Sequence, residues 1–212
     1  MNRRTKLFFV FVFSALAVLS GCGKQAVDES TLYERIQKTL ESVKTYEATA
    51  HVKYISNENE NTYLTKQQCR AEGEYRIEVT GPESVAGNIT VFDGKTICQY
   101  NRKIKDKVAI GTTESIERSE IFFTSFLKNY FTNAEVTITV SSFDNGKTTV
   151  LEAEIPGEHP YISSEKVWID NETLKPTALI IYDPDGAERI VVTYESFDYN
   201  VNLDDSIFTL DQ

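Results

Sequence analysis

Histidine is scarce in this sequence, which has two histidines, His51 and His159, among its 212 residues. Neither belongs to the helical motif of zinc proteases, no serine lies in a nucleophile elbow, and no glycine-rich phosphate loop is present. We interpret both histidines as solvated or locally hydrogen-bonded side chains, in preference to a catalytic base or a metal ligand. We therefore expect a protein that is not an enzyme and has no catalytic residue, metal or cofactor.

Cysteine is almost as rare, with Cys22, Cys69 and Cys98 as its three positions. Cys69 and Cys98 fall in segments that read as strands, where they could form one disulfide in an exported protein or remain buried thiols. We favour unpaired thiols. Two sulfurs without a neighbouring histidine fall short of the four ligands of a structural zinc site.

Basic residues are outnumbered, with 22 lysines and arginines against 32 aspartates and glutamates. Three of the basic residues and none of the acidic ones precede residue 22, so the remainder has 19 basic and 32 acidic residues and a formal charge of −13. A surface that acidic repels the phosphates of nucleic acids and the headgroups of anionic lipids. We expect no nucleic acid partner and no membrane contact other than a covalently attached lipid.

Long hydrophobic runs are absent except for Leu7 to Leu19, which follows three basic residues and ends just before Gly21-Cys22. The run is about two thirds of the roughly 20 residues that a spanning helix needs. A basic start, a short apolar run and small residues before a cysteine are typical of a lipoprotein signal peptide. We predict a signal peptide over residues 1–21 and a lipidated tether over residues 22–30. Acyl chains on Cys22 would hold the protein at the outer face of a bacterial membrane.

Residues 31–212 have a length typical of one domain. Thr31 and Glu34 have the spacing of a capping box, which predicts an amphipathic helix over residues 31–44. From Tyr46 the apolar residues recur with a period of two, which indicates a half-buried strand. The further strands that we predict cover residues 62–71, 74–80, 88–92, 96–101, 135–142, 148–155, 165–170, 177–182 and 189–199.

Short turns between these strands favour an antiparallel arrangement. Asp93-Gly94 is a hairpin signal, and Asn145-Gly146 marks another turn. The segment from Asp183 to Gly186 is similar to the start of a calcium loop but lacks its later ligands, so we interpret it as a tight turn. We expect Trp168 to be largely buried within its strand. Ten or so strands with few helices predict one strongly curved antiparallel sheet.

Aromatic residues concentrate between Thr113 and Thr132, where the pattern is helical. Such a wide apolar face predicts a second helix that plugs the concave side of the sheet, although a ligand-binding stripe is the alternative. The side chains that distinguish a filled interior from an open cavity are Phe122, Phe123, Phe126 and Phe131.

Motifs in the second half resemble the LolA/LolB-like lipoprotein-carrier superfamily. A strand ending in aspartate, Val167 to Asp170, precedes a turn at Leu174-Lys175-Pro176, the Asp183 to Gly186 hairpin, and a closing segment from Phe197 to Phe208. The segment from Phe92 to Lys95 is similar to that superfamily's mid-sheet hairpin. The resemblance covers nearly all of the chain after residue 30. It implies a mainly β fold with some α, an unclosed barrel of about eleven antiparallel strands with helices on its concave side.

Within that superfamily the chain resembles the GerS-type spore-germination lipoproteins of clostridia. This resemblance implies a non-enzymatic partner of an exported CwlD-type N-acetylmuramoyl-L-alanine amidase, acting at the forespore membranes in muramic-delta-lactam formation. The alternative is a carrier or acceptor of lipid or lipoprotein acyl chains, which requires an accessible apolar cavity. Exposed sheet edges would also allow a homodimer by strand exchange.

Overall fold

The computed structural model describes residues 29–111, 119–132, 137–141 and 148–210. No helix within these ranges is long and apolar enough to cross a membrane. The elements in chain order are α1 (Glu29–Glu41), β1 (Thr45–Ile55), β2 (Glu60–Arg70), β3 (Tyr75–Gly81), β4 (Ile89–Phe92), β5 (Thr96–Asn101), β6 (Asp106–Gly111), α2 (Phe123–Thr132), β7 (Thr137–Ser141), β8 (Thr148–Glu154), β9 (Ser164–Asp170), β10 (Pro176–Tyr182), β11 (Glu188–Tyr199) and a short 3₁₀ helix (Asp205–Phe208).

The strands form one sheet of eleven strands in the order β6-β5-β4-β3-β2-β1-β11-β10-β9-β8-β7. Each pairs antiparallel with its neighbours. Strands β6 and β7 are its two edges, and no ladder among the described residues joins them. The predicted fold class, a mainly β protein with an unclosed antiparallel sheet and helices, is confirmed.

The centre of the sheet is β1, which pairs with β2 on one side and with β11 on the other. Its alternate residues Tyr46, Ala48, Ala50 and Val52 are all buried, whereas His51 between them is exposed. The period of two in the sequence therefore reflects the alternation of side chains between the two faces of this strand. The buried face looks into the concave side, where the core lies.

Helix α1 is amphipathic as predicted, because Leu32, Ile36 and Leu40 recur at helical spacing and are buried. Its boundaries differ from the prediction, since it begins at Glu29 and ends at Glu41. Thr31 therefore lies in the first turn and is not the N-cap that the capping-box spacing indicated. The spacing of a threonine and a glutamate three residues apart also occurs within helices, where it has no capping role.

Strand β6 is missing from the sequence-based prediction. Its segment follows a hairpin turn rich in lysine, and Lys105, Asp106 and Lys107 conceal the alternation that identifies a half-buried strand. The strand forms because its backbone pairs with β5 from Thr96↔Gly111 to Asn101↔Asp106. It is an edge strand, and charged side chains are common on such edges.

Trp168, which was expected to be largely buried, is partly buried and does not belong to the core. Val167 and Ile169 on either side of it are completely buried, at 0% exposure. Successive side chains of a strand point to opposite faces. Trp168 therefore lies on the convex face, where it is paired across the sheet with Val150.

The C-terminal segment crosses the convex face of β3 and β4. The ring of Phe208 is 3% exposed, and the guanidinium of Arg70 lies 4.6 Å from its centroid. Arg70 also donates to the carbonyl oxygen of Leu203 at 3.1 Å, and Arg76 donates to that of Ile207 at 3.3 Å. These contacts cover Val91, which is buried on this face. The C-terminal segment thus covers the convex face of β3 and β4.

Candidate functional site

The concave side of the sheet is filled largely by aromatic side chains at the start of α2. Phe122, Phe123 and Phe126 are at most 2% exposed. The Phe123 ring packs edge-on against Tyr46 at 6.2 Å and Phe197 at 5.2 Å between centroids. The predicted aromatic plug is confirmed for these three phenylalanines. Phe131, the fourth, is 43% exposed at the end of α2 and takes no part in it.

A short series of buried hydrogen bonds fixes this plug to β1 and β2. The hydroxyl of Tyr46 donates to Oε1 of Gln67 at 3.0 Å and accepts from the backbone N–H of Phe123 at 3.3 Å. The Thr65 hydroxyl donates to the carbonyl oxygen of Ala50 at 3.0 Å. Buried polar groups are stable only when they are paired in this way, so the network sets the position of α2 on the sheet.

Both cysteines within the described ranges, Cys69 and Cys98, are free thiols, as predicted. Burial raises the pKa of the Cys69 thiol, and its interaction with the Tyr46 side chain only partly opposes this effect. Since the thiolate is the reactive form of cysteine, Cys69 is an inert core residue.

An apolar cavity of about 390 Å³ remains beside the plug, under the N-terminal half of the sheet. Its lining includes Val52, Tyr63, Ile77, Val79, Ile97 and Phe122. This volume lies near the lower end of the range of about 300–1,000 Å³ that is usual for small-molecule pockets. The interior is therefore neither completely filled nor a wide carrier cavity.

A wider cleft of about 1130 Å³ opens at the mouth of the sheet, between the β1–β2 turn, the start of α2 and the loop after β8. Tyr54 borders both this cleft and the apolar cavity. The cleft is lined by polar side chains, among them Asn57, Lys128 and Asn129, together with Tyr161, which is 60% exposed. Apolar side chains such as Ile155, Ile162 and Ile190 also line it, so the cleft is a mixed polar and apolar surface.

The two histidines lie apart and have local partners, as predicted. Nδ1 of His159 accepts from the backbone N–H of Tyr161 at 3.1 Å in the loop after β8. Nε2 of His51 lies 2.7 Å from Oε1 of Glu195 on the outer face of β1 and β11. Neither is near a serine or cysteine that it could activate within the hydrogen bonds described.

Glu165 is a buried carboxyl group that the sequence analysis missed. It is 0% exposed, Asn129 donates to its Oε1 at 2.7 Å, and its Oε2 has no hydrogen-bond partner. Burial raises the pKa of Glu165 to about 8, the bond from Asn129 opposes this rise, and the charge of Glu120 adds to it. At neutral pH the side chain is mainly a neutral acid. Glu165 alternates along β9 with the buried Val167 and Ile169. This spacing was the signal that could have identified it as buried.

The Asp183 to Gly186 segment is a tight turn, as predicted. Oδ1 of Asp183 accepts from the backbone N–H groups of Asp185 at 3.0 Å and Ala187 at 2.9 Å, and Oδ2 accepts from Arg189 at 2.6 Å. These donors lower the pKa of Asp183. Among the residues that the structure describes, no group of three or more histidine, cysteine, aspartate or glutamate side chains could hold a metal ion.

Two sequence-based predictions fall outside the described residues. The lipidation site Cys22, with the signal peptide and most of the tether, precedes them. The turn at Asn145-Gly146 lies in the gap between β7 and β8. Both remain predictions.

The chain matches one protein family and is similar to several solved structures. The family described as Sporulation protein YdcC-like matches residues 2–208. A search of curated proteins gives no match.

Solved structures include a similar lipoprotein, GerS, in the structure of the CwlD amidase from Clostridioides difficile in complex with GerS. The identity is 26% and the TM-score 0.51, over 84% of this chain and 99% of that chain. An uncharacterized conserved protein from Thermus thermophilus is 14% identical with a TM-score of 0.51, over 85% of this chain and 91% of that chain. A LolA superfamily protein from Nitrosomonas europaea is 13% identical with a TM-score of 0.45, over 88% and 99% of the two chains.

Proposed function

Because this chain belongs to the YdcC-like family of sporulation proteins, we propose that it is a membrane-anchored, non-enzymatic lipoprotein that binds and activates a spore cortex amidase of the CwlD type. Its role is to support muramic-delta-lactam formation in the cortex and hence spore germination. One observation carries the proposal: the similarity at 26% identity spans 99% of the GerS chain, and that chain was solved in complex with an amidase.

The described residues support a binding role in preference to catalysis. The aromatic plug and the hydrogen bonds of Tyr46 fill most of the interior. The one strongly perturbed acid among them, Glu165, is paired with an asparagine amide and is completely buried. A catalytic acid or base needs a substrate within hydrogen-bond reach, and a buried side chain in the core offers no such access. The chemistry would therefore reside in the amidase.

Two exposed aromatic side chains give the proposal a testable surface. Tyr161 is 60% exposed at the mouth cleft, and Phe131 is 43% exposed beside the groove between α1 and α2. Aromatic residues are enriched among those that dominate the binding energy of protein interfaces. His51 lies on the opposite, convex face and serves as a matched control position.

Activation by binding requires that the complex favour the active form of the amidase, such as its metal-loaded or substrate-ready form. A partner shifts a conformational equilibrium only by the difference between its affinities for the two states. The lipoprotein would therefore bind the active form more tightly, and the amidase would in turn be stabilised by mass action.

The test is to mix the purified chain with the amidase, measure the mass of the complex by light scattering, and assay muropeptide cleavage with and without it. We expect a complex at micromolar concentrations and faster cleavage. Replacing Tyr161 or Phe131 by alanine should weaken the complex where that side chain contacts the amidase, and His51→Ala should not. If no complex forms, or if cleavage is equal in both assays, the scaffold hypothesis is wrong.

The anchor is a separate part of the proposal and rests on Cys22. The thiol of Cys22 would be the only attachment site for the diacylglyceryl group, and two or more acyl chains are needed for stable membrane residence. We expect Cys22→Ala to remove acyl labelling and to leave the protein soluble after export or uncleaved. Normal labelling and processing of this variant would contradict the assignment.

The apolar cavity favours a second candidate function, the binding of a lipid or lipoprotein acyl chain. A fluorescent fatty acid provides the probe, and Val79→Phe, which places a ring in the cavity, should abolish its binding. A chain that binds the probe but neither binds nor activates the amidase would be a carrier and not a scaffold.

A further inference from the structure

The β5–β6 hairpin is basic in a chain that is otherwise acidic. Its residues 102–107 read Arg-Lys-Ile-Lys-Asp-Lys, so that four basic residues accompany one aspartate, while the whole chain has a formal charge of −10. We refer to residues 101–108 as the basic hairpin. It joins β5 to the edge strand β6 at one end of the sheet.

The base of the basic hairpin is fixed to its surroundings. The backbone N–H of Arg102 donates to Oδ1 of Asn88 at 3.0 Å, and its guanidinium donates to the carbonyl oxygen of Ala86 at 3.2 Å. Gly87 has a φ of +85°, and a Cβ at this position would lie 2.6 Å from Cδ of Arg102. Only glycine allows this approach without strain. Lys107 donates to the carbonyl oxygen of Leu210 at 2.8 Å.

The tip of the basic hairpin is free to meet another surface. Ile104 is 65% exposed and lies between Lys103 and Lys105, both exposed and neither in an ion pair within the described part of the chain. Val108, on the following strand, is 55% exposed. These two residues are half of the large hydrophobic side chains that are exposed among the described residues. The tip thus presents one large apolar side chain between two lysines that have no acidic partner within the described residues.

We propose that the basic hairpin is a second membrane contact, which inserts Ile104 into the interface of an anionic bilayer while Lys103 and Lys105 meet the lipid phosphates. Lysine can lay its aliphatic stem along apolar surroundings and keep its ammonium among the headgroups. Clusters of lysine and arginine beside a membrane bind anionic lipids. Apolar side chains at the same place add binding in proportion to their buried area.

The overall negative charge does not prevent this contact. At physiological ionic strength charges are screened over about 8 Å, so the basic hairpin responds to the membrane largely independently of distant acidic residues. Asp106 is the one acidic residue within the hairpin, and the nearest acidic residues in sequence on either side of it are Asp93 and Glu114. The expectation drawn from net charge alone, that only the covalent lipid touches the membrane, neglects this local asymmetry.

The test uses the unlipidated chain from Gly23 onward, which retains every residue that the structure describes, and measures co-sedimentation with vesicles. One set of vesicles is phosphatidylcholine alone, and the other contains phosphatidylglycerol and phosphatidylcholine in equal parts. We expect binding to the anionic vesicles only, and its loss at high salt. Lys103→Gln with Lys105→Gln should lower the partition coefficient by about fivefold per cation removed. Ile104→Ser should also lower it, without changing its salt dependence.

Matched controls separate this contact from general effects. Lys38→Gln with Lys128→Gln changes the net charge equally on exposed helix positions, and Tyr161→Ser removes another exposed apolar side chain; neither should change vesicle binding. All substituted side chains are exposed, so thermal unfolding should be nearly unchanged. Equal binding by the hairpin and control variants, or no binding to anionic vesicles, would overturn the proposal. The lysines would then serve only to keep the edge strand β6 from pairing with strands of other molecules. If the hairpin variant instead loses amidase binding and keeps vesicle binding, the hairpin belongs to the protein interface and the proposal also fails.

Discussion

On the C-terminal side of β1 the concave face is a closed core, whereas on the N-terminal side it retains a cavity. Strands β8 to β10 contribute Leu151, Val167, Ile169, Leu179 and Ile181, all at 0% exposure, and α2 contacts this side through β8. Strands β2 to β5 instead contribute partly exposed Tyr63, Ile77 and Val79 to a cavity of about 390 Å³.

The two halves of the sheet therefore differ in how densely their concave faces are packed. The C-terminal half has the dense packing of a protein interior, in which every methylene group contributes to stability. The N-terminal half has space that side chains or a ligand could occupy at little cost. Substitutions should therefore affect stability mainly in the C-terminal half.

The largest effect should follow from truncating the plug where it meets the closed core. Phe123→Ala removes a ring that is 0% exposed and contacts Tyr46, Phe126 and Phe197. We expect a loss of about 3–5 kcal/mol in the free energy of unfolding, measured by denaturant titration. Phe131→Ala on the same helix is the matched control and should cost less than about 1 kcal/mol, because that ring is 43% exposed. Equal losses of unfolding free energy in the two variants would show that α2 does not pack on the sheet through Phe123 as described.

The next effect concerns Glu165, an ionisable side chain that is completely buried in the closed half. Its pKa is raised from 4.5 to about 8, so between these values the folded protein retains a proton that the unfolded chain loses. The contribution of Glu165 to the free energy of unfolding is therefore fully present below pH 4.5, decreases as pH rises, and stops decreasing above about pH 8. The change should be on the order of a few kcal/mol.

Glu165→Gln preserves the shape of the neutral acid and has no proton to lose. We expect this variant to lack the decline between pH 4.5 and about 8 and to be more stable than the parent chain above that range. Denaturant titrations at several pH values measure both effects. Glu188→Gln, at an exposed position, is the control and should retain the decline. If the free energy of unfolding declines equally in both variants, groups other than Glu165 cause the decline.

The smallest effect compares the same enlargement in the two halves. Val167→Phe adds a ring where the parent side chain is 0% exposed, and overpacking of this kind typically costs about 1–3 kcal/mol. Val79→Phe adds the same ring beside the apolar cavity and should cost clearly less. Thermal unfolding of the two variants measures the difference. Similar losses would mean that the cavity cannot accept a side chain and that the halves are equally packed.

The sequence predicted the sheet well because most strands have one buried face and one exposed face, as β1 does. The sequence-based prediction failed where the residues do not show this contrast between a buried and an exposed face. The lysines around Asp106 concealed β6, and the three successive large apolar residues Val167, Trp168 and Ile169 did not indicate which two face the core. The alternation of Glu165 with Val167 and Ile169 is readable in the sequence and indicates that this carboxyl group lies on their face of the strand.

The candidate sites were less accessible to sequence analysis. The apolar cavity depends on where α2 lies on the sheet, and the hydrogen bonds of Tyr46 that fix this position join residues distant in the chain. The exposure of Phe131 likewise depends on where α2 ends relative to α1. Cys22, in contrast, is predicted from a local motif alone, because the processing machinery reads the unfolded segment.

The central position of β1 also determines the order in which this chain can fold. Strand β1 ends at Ile55, and its second neighbour, β11, begins only at Glu188. Strands β1 to β6 follow one another in the chain and can pair before β11 arrives, because contacts between near neighbours form fastest. The hydrogen-bonding edge of β1 stays open until the last strand arrives, and open strand edges favour aggregation. We therefore expect the β1–β11 ladder to form late, and a chaperone or a short C-terminal truncation to act most strongly on this contact.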